Sequence, residues 1–387
     1  MSSRFLSVIG RRLARLSANN LMAIIHPVSA WLREHAERLL SELPAIFDLV
    51  WNAAVEALMS APEVKRYPRP DRVWVNEGLN SPAGHMVDAL FKDPAKITFK
   101  SRAGLSDSWK LRLKQLMNLP GDHRPHAVVM ISPYLNWLFQ TDPNWTEAQL
   151  LSLSGGEKDD SIAFWAGYLW RAQKPQRPLY LLLKPGFTAL ARQSGKRRNH
   201  ANALAGLLLA GWGDDQDALD SERLITNIEM REILIHADDE LRTQVLWYLE
   251  RWTLEPESEW GDRVVPFLTQ VWPRQRDVRT TSVSARLADF ALAIPDRFAD
   301  IVEAILPRLV PAHSASLRIG SFLTAEPSST IARRHPKALL DLLWAILTKE
   351  AVTWPYGVDV LFSQLSESIE TQNDPRLAEL KRREQRR

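Results

Sequence analysis

Asn76-Glu77-Gly78-Leu79-Asn80-Ser81-Pro82-Ala83-Gly84-His85-Met86-Val87-Asp88-Ala89-Leu90-Phe91 decides how the rest of the chain is read. Asn80 or Ser81 can cap a helix, Pro82 suits its first turn, and Ala83 and Gly84 let another backbone approach. Val87, Leu90 and Phe91 then share one face, a stripe for burial, and Asp93-Pro94 stops the helix. The stretch predicts a capped, closely packed amphipathic helix.

The segments on either side follow the same pattern. Three helices are expected before it. They cover about residues 3–17, the run from His26 through Leu40, and Ala45 to Met59, which is apolar on most sides and so belongs in the interior. Pro62 to Pro70 reads as a polar connector, and Val73-Trp74-Val75 as a short strand or an extended lead-in. Leu105 to Leu119 predicts an amphipathic helix, and Val128 to Phe139 two short helices meeting at Pro133. From about residue 222 onward, apolar helical runs alternate with prolines at Pro256, Pro266, Pro273, Pro295, Pro307, Pro311, Pro327, Pro336 and Pro355. The fold expected is all-α, an irregular HEAT-like helical repeat or α-solenoid. Its expected parts are N-terminal helices over 1–70, a central helical region over 71–212 and a helical array over 222–371, followed by a basic tail over 372–387.

Composition narrows the chemistry. The 387 residues are 45% hydrophobic and 25% charged, and 49 basic residues nearly balance 46 acidic ones, so net charge does not select a nucleic-acid partner. With no cysteine, disulfides, thiol catalysis and thiolate-bound metals are excluded. Fifteen tryptophans distributed over helical segments suggest deep grooves between packed helices. No run of apolar residues is long enough for a membrane span, and a cytoplasmic setting is expected. The basic, acid-free start from Phe5 to Leu16 looks like a targeting or membrane-surface segment. Leu6, Ile9, Leu13 and Leu16 nonetheless share a helical face, which favours a first helix of the fold.

Motifs for phosphate and dinucleotide loops fail. Ser154-Gly155-Gly156-Glu157-Lys158 lacks the required glycine-to-lysine spacing, and Gly211-Trp212-Gly213 lacks both the third glycine and a preceding strand. His123 and His126 are separated by a proline that breaks the register of a paired zinc site, and a loop or helix-start role is expected for them. Asp214, Asp215 and Asp217, like Asp238, Asp239 and Glu240, should each open the following helix, where acids complement the helix dipole. No catalytic set, cofactor or metal is expected. The candidate functional or junction residues are Asn76, Glu77, Asn80, Ser81, Pro82, Gly84, His85 and Asp88. His85 and Asp88 lie three apart, the spacing of a base and its orienter, yet no nucleophile accompanies them. A capped helix packed at Gly84 accounts for the same residues. Candidate basic contacts are Arg11 and Arg12, Lys196, Arg197 and Arg198, and Lys381, Arg382 and Arg383 in the tail.

The run Leu79 to Leu90 resembles a motif of the uncharacterised helical domain that follows sirtuin-like domains in bacterial antiphage defence proteins. The Trp31-Leu32 helix, the segment Phe164-Trp165-Ala166-Gly167-Tyr168-Leu169-Trp170, and Val264 to Pro273 fit the same family, so the resemblance covers roughly residues 20–350. It implies a helical sensor or scaffold whose associated sirtuin-like part hydrolyses NAD. This chain carries no such part, and no catalytic residue transfers to it. The expected function is therefore a non-enzymatic scaffold or sensor subunit acting through a protein partner, the chain being either a separate subunit whose effector is encoded alongside or a piece of a longer reading frame. The alternative is a nucleic-acid-binding helical repeat.

Overall fold

The computed structural model describes residues 2–60, 73–156, 158–193, 200–214, 223–312, 331–350, 352, 354–355 and 357–386. The fold is all-α. Among the described residues there is no strand, and a single isolated bridge joins Ala312 to Leu347. Packing divides the chain into two compact units, Met1–Gly186 and Phe187–Arg387. The dividing point lies within a helix, whereas the sequence pattern placed the break between residues 212 and 222. Residues 215–222, like the connector over 62–70, fall outside the described residues.

The first unit opens with α1 (Ser3–Leu13), α2 (Ala18–Ala23), α3 (Ile25–Glu42) and α4 (Pro44–Met59). The short α2 was not expected. Ser17 caps it by accepting from Asn20 N, and Leu21 is its buried anchor. Next come α5 (Trp74–Leu79) and α6 (Pro82–Phe91). The strand or lead-in expected at Val73-Trp74-Val75 is instead the start of α5. Trp74 and Val75 are buried, and burial outweighs the β preference of these side chains. α7 (Asp107–Met117), α8 (His123–Ile131), α9 (Leu135–Thr141) and α10 (Pro143–Gln149) follow. A 3₁₀ turn at Ser132–Tyr134 joins α8 to α9, as the proline predicts. α11 (Lys158–Trp170) and α12 (Arg177–Arg192) complete the run, and the division between the units falls inside α12.

α6 lies between α3 and α8, and α8 is gripped by α5, α6 and α11. Glycines set these distances. A Cβ on Gly84 would lie 1.9 Å from the Gly78 carbonyl oxygen, and a Cβ on Gly167 would lie 2.1 Å from that of Val129. A Cβ on Gly78 would meet Val129 Cγ1 at 2.5 Å. Several tryptophans fill grooves with their N–H engaged. Trp51 donates to Gln115 Oε1 at 2.8 Å, and Trp109 to Asp93 Oδ2 at 2.9 Å. Asp142 accepts from Leu105 N at 3.0 Å and Trp145 N at 3.1 Å, and pairs with Lys110 at 2.9 Å, so one carboxylate ties α7 to α10.

In the second unit, α13 (Ala201–Trp212), α14 (Asn227–His236), α15 (Asp239–Leu254) and α16 (Gly261–Pro266) lead into a π turn at Phe267–Val271. α17 (Thr281–Ala293), α18 (Phe298–Ile305), α19 (Ile331–Arg334), α20 (Pro336–Ile346), α21 (Val358–Glu367) and α22 (Pro375–Glu384) follow. α13 packs on α15 and α15 on α17, while α14 and α18 both pack on the π turn. Thr226 and Glu229 form a capping box on α14, and Asp238 caps α15 through Leu241 N at 3.0 Å. No described helix is long and apolar enough to cross a membrane.

The glycine contacts make a direct prediction. Gly84→Val should lower the unfolding free energy by about 1–3 kcal/mol in urea titrations, the cost of overpacking. Gly261→Ala, where a Cβ meets nothing within 4 Å, should leave it nearly unchanged or slightly raised. Equal effects at the two positions would contradict the packing role.

Candidate functional site

The stretch from Asn76 to Asp88 forms the α5–α6 junction. Ser81 Oγ donates to the Gly78 carbonyl at 2.9 Å and accepts from Gly84 N at 2.9 Å, so one hydroxyl ends α5 and caps α6. Pro82 occupies the first turn, where its missing N–H leaves no helical bond unmade. Asn80 Nδ2 donates to the Asn76 carbonyl at 2.9 Å, and His26 Nε2 donates to the Asn80 carbonyl at 2.7 Å. Glu77 reaches His126 Nε2 at 3.3 Å, which places the start of α8 against α5. His123 and His126 are thus helix-start residues, His126 packing edge-on against Trp74.

His85 is 3% exposed and sits edge-on to His26, with ring centroids 5.0 Å apart. Ser29 Oγ donates to the His26 carbonyl at 2.9 Å. A hydroxyl has one proton, so the 3.1 Å contact between Ser29 and His85 is a donation from His85 Nδ1–H. Burial, followed by Arg33 and His26, lowers the His85 pKa to about 4. The imidazole is therefore neutral at physiological pH.

Asp88 does not join His85. Among the described residues its carboxylate makes no hydrogen bond and no ion pair within 4.0 Å. Burial raises its pKa against the opposing pull of Arg33, Lys92 and Arg171. Burial also pushes Tyr134 up, helped by Asp88 and opposed by Arg171. Half-buried Asp88, Arg33 and Tyr134 and exposed Arg171 therefore influence one another's charge. Sequence reading missed Arg33, Tyr134 and Arg171, because they are far from Asp88 along the chain.

A cavity of about 590 Å³ is lined by Glu37, Phe91, Lys92, Lys96 and Trp137, among others. Lys92 Nζ donates to the Arg33 carbonyl at 2.9 Å. Phe91 and Tyr134 stack at 3.7 Å, and Lys96 Nζ lies 5.5 Å and 5.0 Å from their centroids. Two nearly equal distances to a stacked pair place the ammonium beside the stack, over neither face. Burial pulls the Lys96 pKa below its ordinary value.

The expected basic contacts are distributed between the units. Arg11 and Arg12 are exposed on α1 in the first unit. Lys381, Arg382 and Arg383 lie on α22 in the second, where Arg382 and Arg383 pair with Glu379 at 2.6 Å and 2.8 Å. Lys196, Arg197 and Arg198 lie outside the described residues.

No family model and no solved structure matches the chain. It is similar to a protein of Sinorhizobium fredii (strain NBRC 101917 / NGR234) described as uncharacterized protein y4cA, 24% identical over 341 residues. The match takes in 84% of this chain and 27% of that relative, so the chain spans about a quarter of the relative's length.

Two expectations follow from His85. In an unfolded chain a histidine titrates near 6.5, so between about pH 4 and 6.5 the unfolded state binds more protons. Stability conferred by the neutral, buried ring is present above that window and is lost as the pH falls through it. Urea unfolding at pH 7 and pH 5 should show a smaller loss for His85→Gln than for the unaltered chain. An NMR titration in which the native His85 ring ionises at its ordinary value would contradict this.

Proposed function

We propose that the chain is a non-enzymatic helical scaffold or sensor of a bacterial antiphage defence system, acting in the cytoplasm through a protein partner. The observation that carries this reading is the use made of residues 76–88. Ser81, Asn80, Glu77 and His85 each bond to a neighbouring turn or helix, so the most specified stretch of the chain joins framework helices. The resemblance of that stretch to the helical domain downstream of sirtuin-like domains supplies the biological setting. The proportions of the Sinorhizobium match support a modular role, since a region of this kind occupies about a quarter of a longer protein.

The second unit is read here as a HEAT-like array. The packing of α13 on α15 and α15 on α17, with α14 and α18 meeting at the π turn, is the order that stacked helix pairs generate. Such arrays present extended surfaces to partners. The alternative, a nucleic-acid-binding helical repeat, draws support from exposed Arg11 and Arg12. Within the tail, the pairing of Arg382 and Arg383 with Glu379 weakens that alternative.

Co-expression of the chain with the product of the adjacent reading frame should give one complex on size-exclusion chromatography and reduce phage plating. Omitting the chain should restore plating. Full protection by the neighbour alone, or NAD hydrolysis by the purified chain itself, would contradict the proposal.

A further inference from the structure

We infer that the second unit holds a binding site for a small phosphorylated molecule, centred on Arg274, Arg279 and Arg308. The inference is independent of the scaffold reading. These arginines line one cavity of about 560 Å³ beside the π turn. The turn itself positions the first of them. Trp272 N bonds to the Phe267 carbonyl at 2.8 Å, a five-residue closure, and the Thr269 carbonyl accepts from Arg274 Nη2 at 3.3 Å. Arg279 Nη2 donates to the Arg274 carbonyl at 2.9 Å. Arg308, in the 3₁₀ turn Leu306–Arg308 that ends α18, donates through Nη1 to the Ala304 carbonyl.

What distinguishes the cluster is that no acid pairs with it at close range, although Asp300 and Glu303 line the same cavity. Arg308 is only 6% exposed, and its Nε is shut off from solvent with no hydrogen-bond partner; the same holds for Arg279 Nε. Among the described residues none of the three guanidiniums forms an ion pair within 4.0 Å. Burial, then Arg274 and Arg279, pulls Arg308 below its ordinary pKa. An arginine cannot relieve such a position by losing its proton at neutral pH.

The same unit shows how a buried arginine is otherwise accommodated. Arg242, also 6% exposed, donates to the carbonyls of Leu234 and Ile235 and pairs with Asp239, each at 2.9 Å. Half-buried Arg286 has an acid beside it, Glu250 at 2.7 Å. Arg308 has no such acid, and the space next to it is open.

The ligand class follows from the donors and the cavity. Several guanidiniums facing one space suit a group with several anionic oxygens, and planar N–H forks match phosphate. The volume suits a molecule of sugar-phosphate or nucleoside-monophosphate size. Asp300 and Glu303 of α18 line the same cavity without forming ion pairs among the described residues. They oppose a second phosphate or a continuous nucleic-acid backbone and favour hydroxyl or amino groups on the remainder of the ligand. The shared chemistry is one phosphate on a small polar body.

Sequence reading missed this site although part of it is visible there. Arg274-Gln275-Arg276-Asp277-Val278-Arg279 is a basic run following Pro273, but Arg308 lies far along the chain and its lack of a partner has no local signature.

The test uses the full chain and four probes at matched ionic strength, namely inorganic phosphate, pyrophosphate, ribose 5-phosphate and AMP. Binding is read by calorimetry and by thermal shift. Ribose 5-phosphate or AMP should bind saturably and more tightly than pyrophosphate. Arg274→Gln and Arg279→Gln should each weaken binding about tenfold, as removal of a charge-assisted bond does. Arg276→Gln, an exposed neighbour outside the cavity, should leave binding unchanged. Because Arg274 is itself exposed, its variant is expected to fold, and an unaltered circular dichroism spectrum checks that. No saturable binding of any probe overturns the inference. So does tightest binding by pyrophosphate, or binding of a single-stranded oligonucleotide that the same variants abolish.

Discussion

In the first unit, backbone meets backbone with no side chain between. Gly84 of α6 lies against the Gly78 carbonyl, and Gly167 of α11 against the carbonyl of Val129 in α8. Contacts this close fix helix positions, because any Cβ would overlap a carbonyl that cannot move without its helix. The surrounding features depend on that spacing. Ser81 can both cap α6 and bind Gly78 only because Gly84 brings the two turns together. His85 reaches Ser29, and Glu77 reaches His126, from the same joint.

A second constraint is the treatment of buried charge. Around Asp88 the opposing charges of Arg33, Lys92 and Arg171 counter the burial penalty within the protein. Arg112, 9% exposed, reaches Asp48 at 2.6 Å, and Arg242 is satisfied on every side described. Arg308 departs from that practice, sharing one cavity with two other guanidiniums and pairing with no acid among the described residues. Folded proteins rarely tolerate an uncompensated buried cation unless an external anion completes it. That contrast within one unit gives Arg308 its significance.

Much of the architecture could be read in the residues. Pro82 stands in the first turn of its helix as its sequence context predicts, and Pro44, Pro143, Pro336 and Pro375 occupy the same place in theirs. The caps at Ser81 and Asp238 and the break at Pro133 were legible for the same local reason. Trp74-Val75 was misread because its helix is stabilised by burial against α8, which no local pattern records. The short α2 escaped because six residues give too little periodicity to detect. For the candidate site, the identity of the junction residues was visible but their partners were not. Asp88 with Arg171, and Arg279 with Arg308, come together only through the fold.

Native-state hydrogen exchange tests the central claim, that residues 76–88 are a packing joint, most directly. The amides of Gly84 and His85 should exchange as slowly as those of Val128 to Ile131 in α8, opening only with global unfolding of the first unit. Fast local exchange at Gly84 and His85, with α8 still protected, would show that the joint opens by itself and would contradict the account.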